Sequence, residues 1–553
     1  MRRYFSSGLP IFPLSALCLA TVLTLNGCTT RNNSGSVGGG SAGVGNVLRY
    51  PLTAEPTTLD PGKVEDGTTI DLLQQVFEGL VAWGEDNKIH GNLAEKWDIS
   101  PDGKTYTFHL KSGVKFHNGR ELTADDFKYS MERACNPALA SATAAGYLKD
   151  IVGVNDVLHN LKMEISGIKV VDKNTLQITI DAAKPYWIGN MTYPCAFAVC
   201  KEEIEKHKDA KGVGQIDETL LTSTTGTGPF KFAQVLRGDK VTLTAFADYH
   251  GGRAKLDGIE RPIVKDAAQR INKYAVGDVD IAEVSPSDLE RINSDPKLKN
   301  DLKTFARAAV WYVAMNQESP DSPFKDVRVR QAFTEAIDKS QIISVAMRET
   351  VDRADGIIPT AVPGRNEHIV PLPYDPAKAK QLLAAAGFPD GRNFPHLTIS
   401  CRNDFPEVQK SSELIVQQLK TNLNVDVQVR PVQPTQFFKE RDDKTQPLAH
   451  LRWSADYLDP QNFLSTLLAK GAQENKVGYD NLEFNKLCAA ADTERDEVKR
   501  FALYNKAEQI AVTDAPFAPL YFKRDLELIS PKVSDLRDSL FGHRPHLFTT
   551  IKR

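Results

Sequence analysis

The side chains able to do chemistry in this chain are scattered, and the few that cluster fall short of a catalytic motif. Gly226-Thr227-Gly228-Pro229-Phe230 could open a phosphate cradle. It lacks the third glycine, or the Lys-Ser/Thr, that such loops use, so a tight turn is expected. His543 and His546 flank Pro545, which prevents a regular helix from presenting both as metal ligands; a surface loop is expected. Cys195 and Cys200 lie close together but have no second ligand pair for a structural zinc. The chain contains no HExxH, GxSxG, Walker loop or CxxC, and no pair of carboxylates can be nominated as acid and base. This pattern favours binding over catalysis, with no metal and no cofactor expected.

Cys28 is different. It follows a basic Arg2-Arg3 start and an uncharged, largely apolar stretch from Ile11 to Leu25, which has signal-peptide length and is too short to span a bilayer. Leu25-Asn26-Gly27-Cys28 resembles a bacterial lipobox, so residues 1–27 read as a signal peptide and Cys28 as the lipidated residue. Residues 28–45 then form a linker, with six Gly and three Ser between Thr29 and Gly45. A coil of that length reaches about 20–25 Å. A multiply acylated cysteine on such a leash would hold a large body at a membrane face.

The body has the composition of an ordinary folded protein. In 553 residues, 41% are apolar and 25% charged, and 68 basic against 71 acidic residues leave a net charge of −3. That balance excludes a bulk-charge nucleic-acid binder. Five cysteines remain beyond Cys28: Cys135, Cys195, Cys200, Cys401 and Cys488. Buried free thiols, or one disulfide, fit an odd number best; two disulfides and a spare thiol are also open to an exported chain.

Strands and helices alternate along the whole length, an α/β pattern. Thr105–Leu110, Leu176–Ile180 and Val241–Thr244 alternate polar and apolar residues, as half-buried strands do. Val329, Ala332, Phe333, Ala336 and Ile337 form a helical stripe. Asp375-Pro376 reads as the capped start of another helix that Gly387 ends, with Ala379, Leu382, Leu383 and Ala386 on one side.

An ordered set of short motifs gives the strongest indication. Glu55-Pro56-Thr57-Thr58-Leu59-Asp60-Pro61, Leu93-Ala94-Glu95-Lys96-Trp97 and Gly113-Val114-Lys115-Phe116-His117-Asn118-Gly119 come first. Gly226–Phe230, Gly277-Asp278-Val279-Asp280-Ile281, Pro323–Ala332 and Trp453-Ser454-Ala455-Asp456-Tyr457-Leu458-Asp459-Pro460 follow in order. The series resembles the family 5 extracellular solute-binding proteins, the oligopeptide- and dipeptide-binding components of ABC importers. The resemblance covers essentially all of the mature chain.

It implies a two-lobed α/β fold of the periplasmic-binding-protein type, with a hinge and an extra subdomain inserted in the first lobe. The expected division is 46–92, 217–311 and 521–553 for the first lobe, 93–216 for the insert and 312–520 for the second lobe. A monomer is expected, with a peptide or other small solute as ligand and permease subunits as membrane partners. In the oligopeptide-binding members the aspartate of the Trp-x-Ala-Asp-Tyr stretch pairs with the peptide's amino terminus, which points to Asp456. Trp453 and Tyr457 stand beside it, and Glu65 matches a position touching peptide main chain. A carboxylate in a closed cleft is costly alone and favourable against an ammonium. The competing reading is that Asp456 caps a turn before Asp459-Pro460 and Trp453 is ordinary core.

Two departures alter the expected cleft charge: His450 stands where oligopeptide binders carry an arginine, and Arg452 replaces a small residue. An oligosaccharide, a nickel chelate or haem therefore stay open as ligands, as does an exported enzyme or chaperone on the same scaffold.

Overall fold

The computed structural model describes residues 45–209 and 212–553. The signal-like segment, Cys28 and the tether as far as Val44 lie outside the described residues. Among those described, no helix is long and apolar enough to cross a membrane.

Two four-stranded sheets share one core. The first runs in the order Val47–Arg49, Gly258–Pro262, Lys240–Ala245, Phe230–Leu236. The second is Ala94–Ile99, Thr105–Leu110, Thr175–Thr179, Ile168–Asp172. Thr105–Leu110 alternates half-buried and buried residues as its sequence indicates. Leu48 and Ile259 from one sheet and Phe108 and Leu176 from the other belong to a single apolar cluster, together with Phe77, Phe127 and Trp187.

The third and largest sheet has its own pair of cores. Its strands are ordered Ile281–Glu283, Phe517–Ile529, Leu302–Met315, Leu448–Ser454, Leu397–Arg402, Val427–Val432, with Asp352–Arg353 on Phe517–Ile529. Leu302–Met315 ends in an almost unbroken apolar run because both faces are covered. Trp311, Val313 and Met315 join the cluster on one face, and Val310, Tyr312 and Ala314 the cluster on the other. Helix Val327–Glu335 packs on the first of these faces, started by Asp326, whose carboxylate accepts from the Arg328 N–H at 2.9 Å. Helix Pro376–Ala385 begins as expected, with Asp375 accepting from the Lys378 N–H at 3.0 Å, and Gly387 follows it at φ +100°.

Two long strands carry the chain between these bodies. The early part of Leu302–Met315 pairs with Arg524–Leu528 over a small core containing Ile271, Ile292 and Leu298. Its later part pairs with Phe517–Phe522 inside the large sheet. The register slips between Ala306 and Val310. At the slip the buried Arg307 pairs with Asp525, and with Asp538 at 2.9 Å. A bulge there bends both strands.

Two sequence expectations change. His546 is in a loop but is fully buried; its Nδ1 lies 3.2 Å from Thr549 Oγ1, and its N–H donates to Gln75 Oε1 at 3.2 Å. The C-terminal segment is tucked under helix Gly67–Leu73, where Arg544 N–H meets Asp71, so polarity alone misplaces it. Gly226 and Gly228 make a close approach and not a tight turn. A Cβ at Gly226 would sit 2.0 Å from the Val76 carbonyl oxygen, and one at Gly228 2.6 Å from that of Gln75. The five cysteines are all buried and free.

Candidate functional site

Leu448–Ser454 runs parallel to Leu397–Arg402, which runs parallel to Val427–Val432. Their carboxyl ends therefore share one edge of the large sheet, the edge at which α/β sheets open their ligand crevices. The loop carrying Asp456 leaves the sheet there.

Capping of the next turn belongs to Asp459. Its side chain accepts from the Gln461 N–H at 3.0 Å and is gripped by Arg500 at 2.7 and 2.9 Å. Asp456 is left for something else. Asn462, fully buried, accepts from Trp453 Nε1 at 3.0 Å and from the Asp456 N–H at 3.1 Å, and donates to Asp456 Oδ2 at 3.2 Å. Trp453 is partly buried against the cluster containing Phe463 and Leu467. It acts here as a strut that fixes the loop through Asn462.

Tyr147, at the end of the short helix Ala144–Tyr147, lies near enough to the same carboxylate to favour its ionised form. Tyr147 is stacked on Tyr193 with ring centroids 3.8 Å apart and planes 10° from parallel. Tyr457 is buried, gives its hydroxyl to Gln461 Oε1, and stacks on Tyr186 with centroids 6.0 Å apart. Glu65 is exposed, and its charge helps raise the Tyr193 phenol. Of the four side chains indicated by the sequence, Trp453, Asp456 and Tyr457 thus meet at one loop, with Glu65 on the Tyr193 side of it. Sequence reasoning missed Tyr147, Tyr193 and Asn462.

Asp456 is partly reached by water, yet burial pushes its carboxyl up to about 7, against the Asn462 hydrogen bond and the nearby Tyr147 hydroxyl that pull it down. Among the described residues no cation pairs with it, in contrast to Asp459 with Arg500. A half-neutral carboxylate with one fixed side-chain donor and no counter-ion has the chemistry to take up a cation.

His450 brings no charge to this region. It is buried edge-on to Trp311, its Nδ1 is 3.0 Å from Ser412 Oγ, and burial lowers its pKa to about 3, so it carries no charge. Two concavities lie elsewhere. One of about 10 Å³ beside Asn316 and Gln446 has room for a water. One of about 330 Å³ is lined by Arg49, Glu260 and Lys273.

Residues 88–475 match the model of the bacterial extracellular solute-binding proteins, family 5. The chain belongs to this family. Relatives along nearly the full length agree. Heme-binding protein A of Haemophilus influenzae is 30% identical over 95% of this chain and 96% of its own. Dipeptide-binding protein DppE of Bacillus subtilis is 27% identical over 94% and 95% respectively. The Escherichia coli murein tripeptide binding protein MppA superposes with a TM-score of 0.79 at 25% identity, over 92% of this chain and 98% of that one. The family is one of solute-binding proteins, and its members have the two-lobed fold. In that frame, Tyr147 and Tyr186 approach the Asp456 loop from the body that holds the inserted segment. Arg495 Nη1, from the other body, donates to the Pro101 carbonyl at 2.7 Å. Contacts of this kind join residues 93–216 to residues 312–520.

Proposed function

We propose that this protein captures short peptides with a free amino end for an ABC importer, seating the ammonium on Asp456. The observation that carries this reading is the half-buried Asp456 carboxylate, which has no cation partner among the described residues and is oriented by Asn462, with Tyr147 beside it. The peptide ligands for which the dipeptide- and tripeptide-binding relatives are named support it. Haem, named for the Haemophilus relative, is the second reading, since its identity to this chain is the same to within a few per cent. His450 is buried edge-on to Trp311, so this strand presents no accessible histidine to a haem iron.

Trp453, Tyr457 and Glu65 complete the proposed binding site. The lobes are taken as 46–92, 217–311 and 521–553 with the insert 93–216, and 312–520. The separate core of the large sheet supports a second lobe, while the insert shares the core of the first. Hinge bending would concentrate at the slipped register around Arg307, where two strands alone cross. Export, lipidation at Cys28, a single-copy state and docking on permease subunits complete the picture; no catalytic step is assigned.

Calorimetry on Asp456→Asn tests the seat. Losing one partner of an enclosed charge pair costs ~2–5 kcal/mol, or about 30- to 5,000-fold in affinity for free-amine peptides. Peptides acetylated at the amino end should bind poorly to both proteins. Equal losses for free and acetylated peptides would remove Asp456 from the site.

A further inference from the structure

We propose that the surface from which the tether leaves the body rests on anionic lipid headgroups, so that the membrane orients the body as well as holding it near. This rests on lipidation at Cys28, proposed above, and goes beyond it.

Cys28 stands 17 residues before Gly45, the first described residue. A coil of that length reaches about 20–25 Å. A folded body of about 500 residues is roughly 60 Å across. The leash is thus shorter than the body, and the membrane is met first by whatever surrounds Gly45.

Three stretches far apart in sequence surround it. The Asn46 N–H donates to Asp257 Oδ2 at 3.0 Å, and the Asp257 N–H to the Asn46 carbonyl at 2.9 Å. From the same loop, the Lys255 N–H donates to the Leu547 carbonyl at 3.3 Å. Beyond Leu547 the chain pairs Thr550–Ile551 with Val533–Ser534, and the Lys552 N–H donates to the Lys532 carbonyl at 2.9 Å. Arg553 closes the circle: its guanidinium bonds to the Val47 carbonyl and to the buried Asp280.

The surface so formed carries spare positive charge. Lys255, Lys532 and Lys552 are exposed, and among the described residues none of their ammonium groups has an ion pair or hydrogen bond. The carboxylates beside them are mostly taken. Asp257 is held by Arg253 at 2.6 Å and Asp280 by Arg553 at 2.9 Å. Asp535 alone stays without a cation among the described residues, accepting from Thr550 Oγ1 at 3.2 Å. Phe548 is 40% exposed, with the Arg537 guanidinium 3.7 Å from its ring centre. An aromatic ring beside cations suits the headgroup level, where one side is apolar and the other wet.

Unpaired surface lysines cost little and occur elsewhere on the body. These three differ in being held within reach of the bilayer by the leash. Lipid phosphates accept charge-assisted hydrogen bonds from ammonium groups. At about fivefold per cation near an anionic leaflet, three favour the resting orientation by about 100-fold.

The test uses the lipidated mature chain in vesicles of phosphatidylcholine, alone or mixed equally with phosphatidylglycerol, with brief amine acetylation read by mass spectrometry. Lys255, Lys532 and Lys552 should react about tenfold more slowly on the anionic vesicles. Lys162 and Lys470, exposed on the insert and the second lobe, should react alike on both. About 1 M salt, with a screening length of about 3 Å, should remove the difference. Combining Lys255→Glu with Lys532→Glu should free Lys552 on anionic vesicles without changing the melting curve. Equal rates for the three lysines on the two vesicles, in protein whose Cys28 carries lipid, overturn this inference and leave the lipoprotein reading standing. Equal slowing of Lys162 and Lys470 does the same, because the body is then covered without being oriented. An unmodified Cys28 and no association with vesicles remove both readings.

Discussion

Tyr186 stacks on Tyr457 with ring planes 10° from parallel, joining the inserted segment to the loop that carries Asp456. Beside this pair, a Cβ at Gly189 would lie 2.8 Å from Tyr457 Cβ. The absent side chain is thus what lets the two bodies meet.

Gly189→Val should therefore oppose closure more than folding. Overpacking costs ~1–3 kcal/mol, charged here to the closed state alone, so ligand affinity should fall about 5- to 150-fold. Small-angle scattering at ligand concentrations that close wild type should show the larger, open radius of gyration. A variant that closes normally would mean that Tyr457 yields without cost.

Binding should depend on pH through Asp456. Its carboxyl is raised to about 7 in the ligand-free protein, and an ammonium ligand needs the carboxylate. Affinity should climb by about tenfold per pH unit below 7 and fall again above pH ~8, where the peptide amine loses its proton. Stability runs the other way. A carboxyl raised above its unfolded value holds a proton in the folded state that the unfolded chain has released. Its contribution is full below pH ~4 and is lost as pH rises through 7. Calorimetry and thermal melts from pH 5 to 9, with Asp456→Asn flat in both up to pH ~8, would check the pair of slopes.

Much of this site was legible before any coordinates. The Trp453–Pro460 motif located the loop, and period-two runs such as Thr105–Leu110 located strands. Tyr147 was not legible, because it ends a four-residue helix, Ala144–Tyr147, with no periodic pattern. Only the fold brings it across to Asp456. Asn462 hid for another reason: buried amides in a loop look like turn formers until their hydrogen bonds are counted. His546 misled because burial was judged from polarity, whereas Gln75 and Thr549 satisfy it in the interior.

Lipidation is a separate expectation, resting on Leu25–Cys28 and the glycine-rich leash. Cys28→Ser should shift the protein from the membrane fraction to a soluble or unprocessed form. An unmodified cysteine in wild type, by mass spectrometry, together with soluble fractionation, would end the lipoprotein reading.

Tyr147→Phe probes whether the inserted segment tunes the seat or merely packs near it. The hydroxyl favours the ionised form of Asp456, so removing it should push that carboxyl further above 7 while the ring keeps its stack on Tyr193. Below the new pKa less carboxylate is available, and affinity for a free-amine peptide at pH 7 should drop about tenfold. Near pH 9 the carboxylate is restored and most of the loss should vanish. A direct contact between the hydroxyl and the ligand would behave differently, lowering affinity by the same factor at every pH. A shifted midpoint with wild-type affinity near pH 9 therefore assigns Tyr147 to positioning and charge, and a parallel drop across the range assigns it to ligand contact.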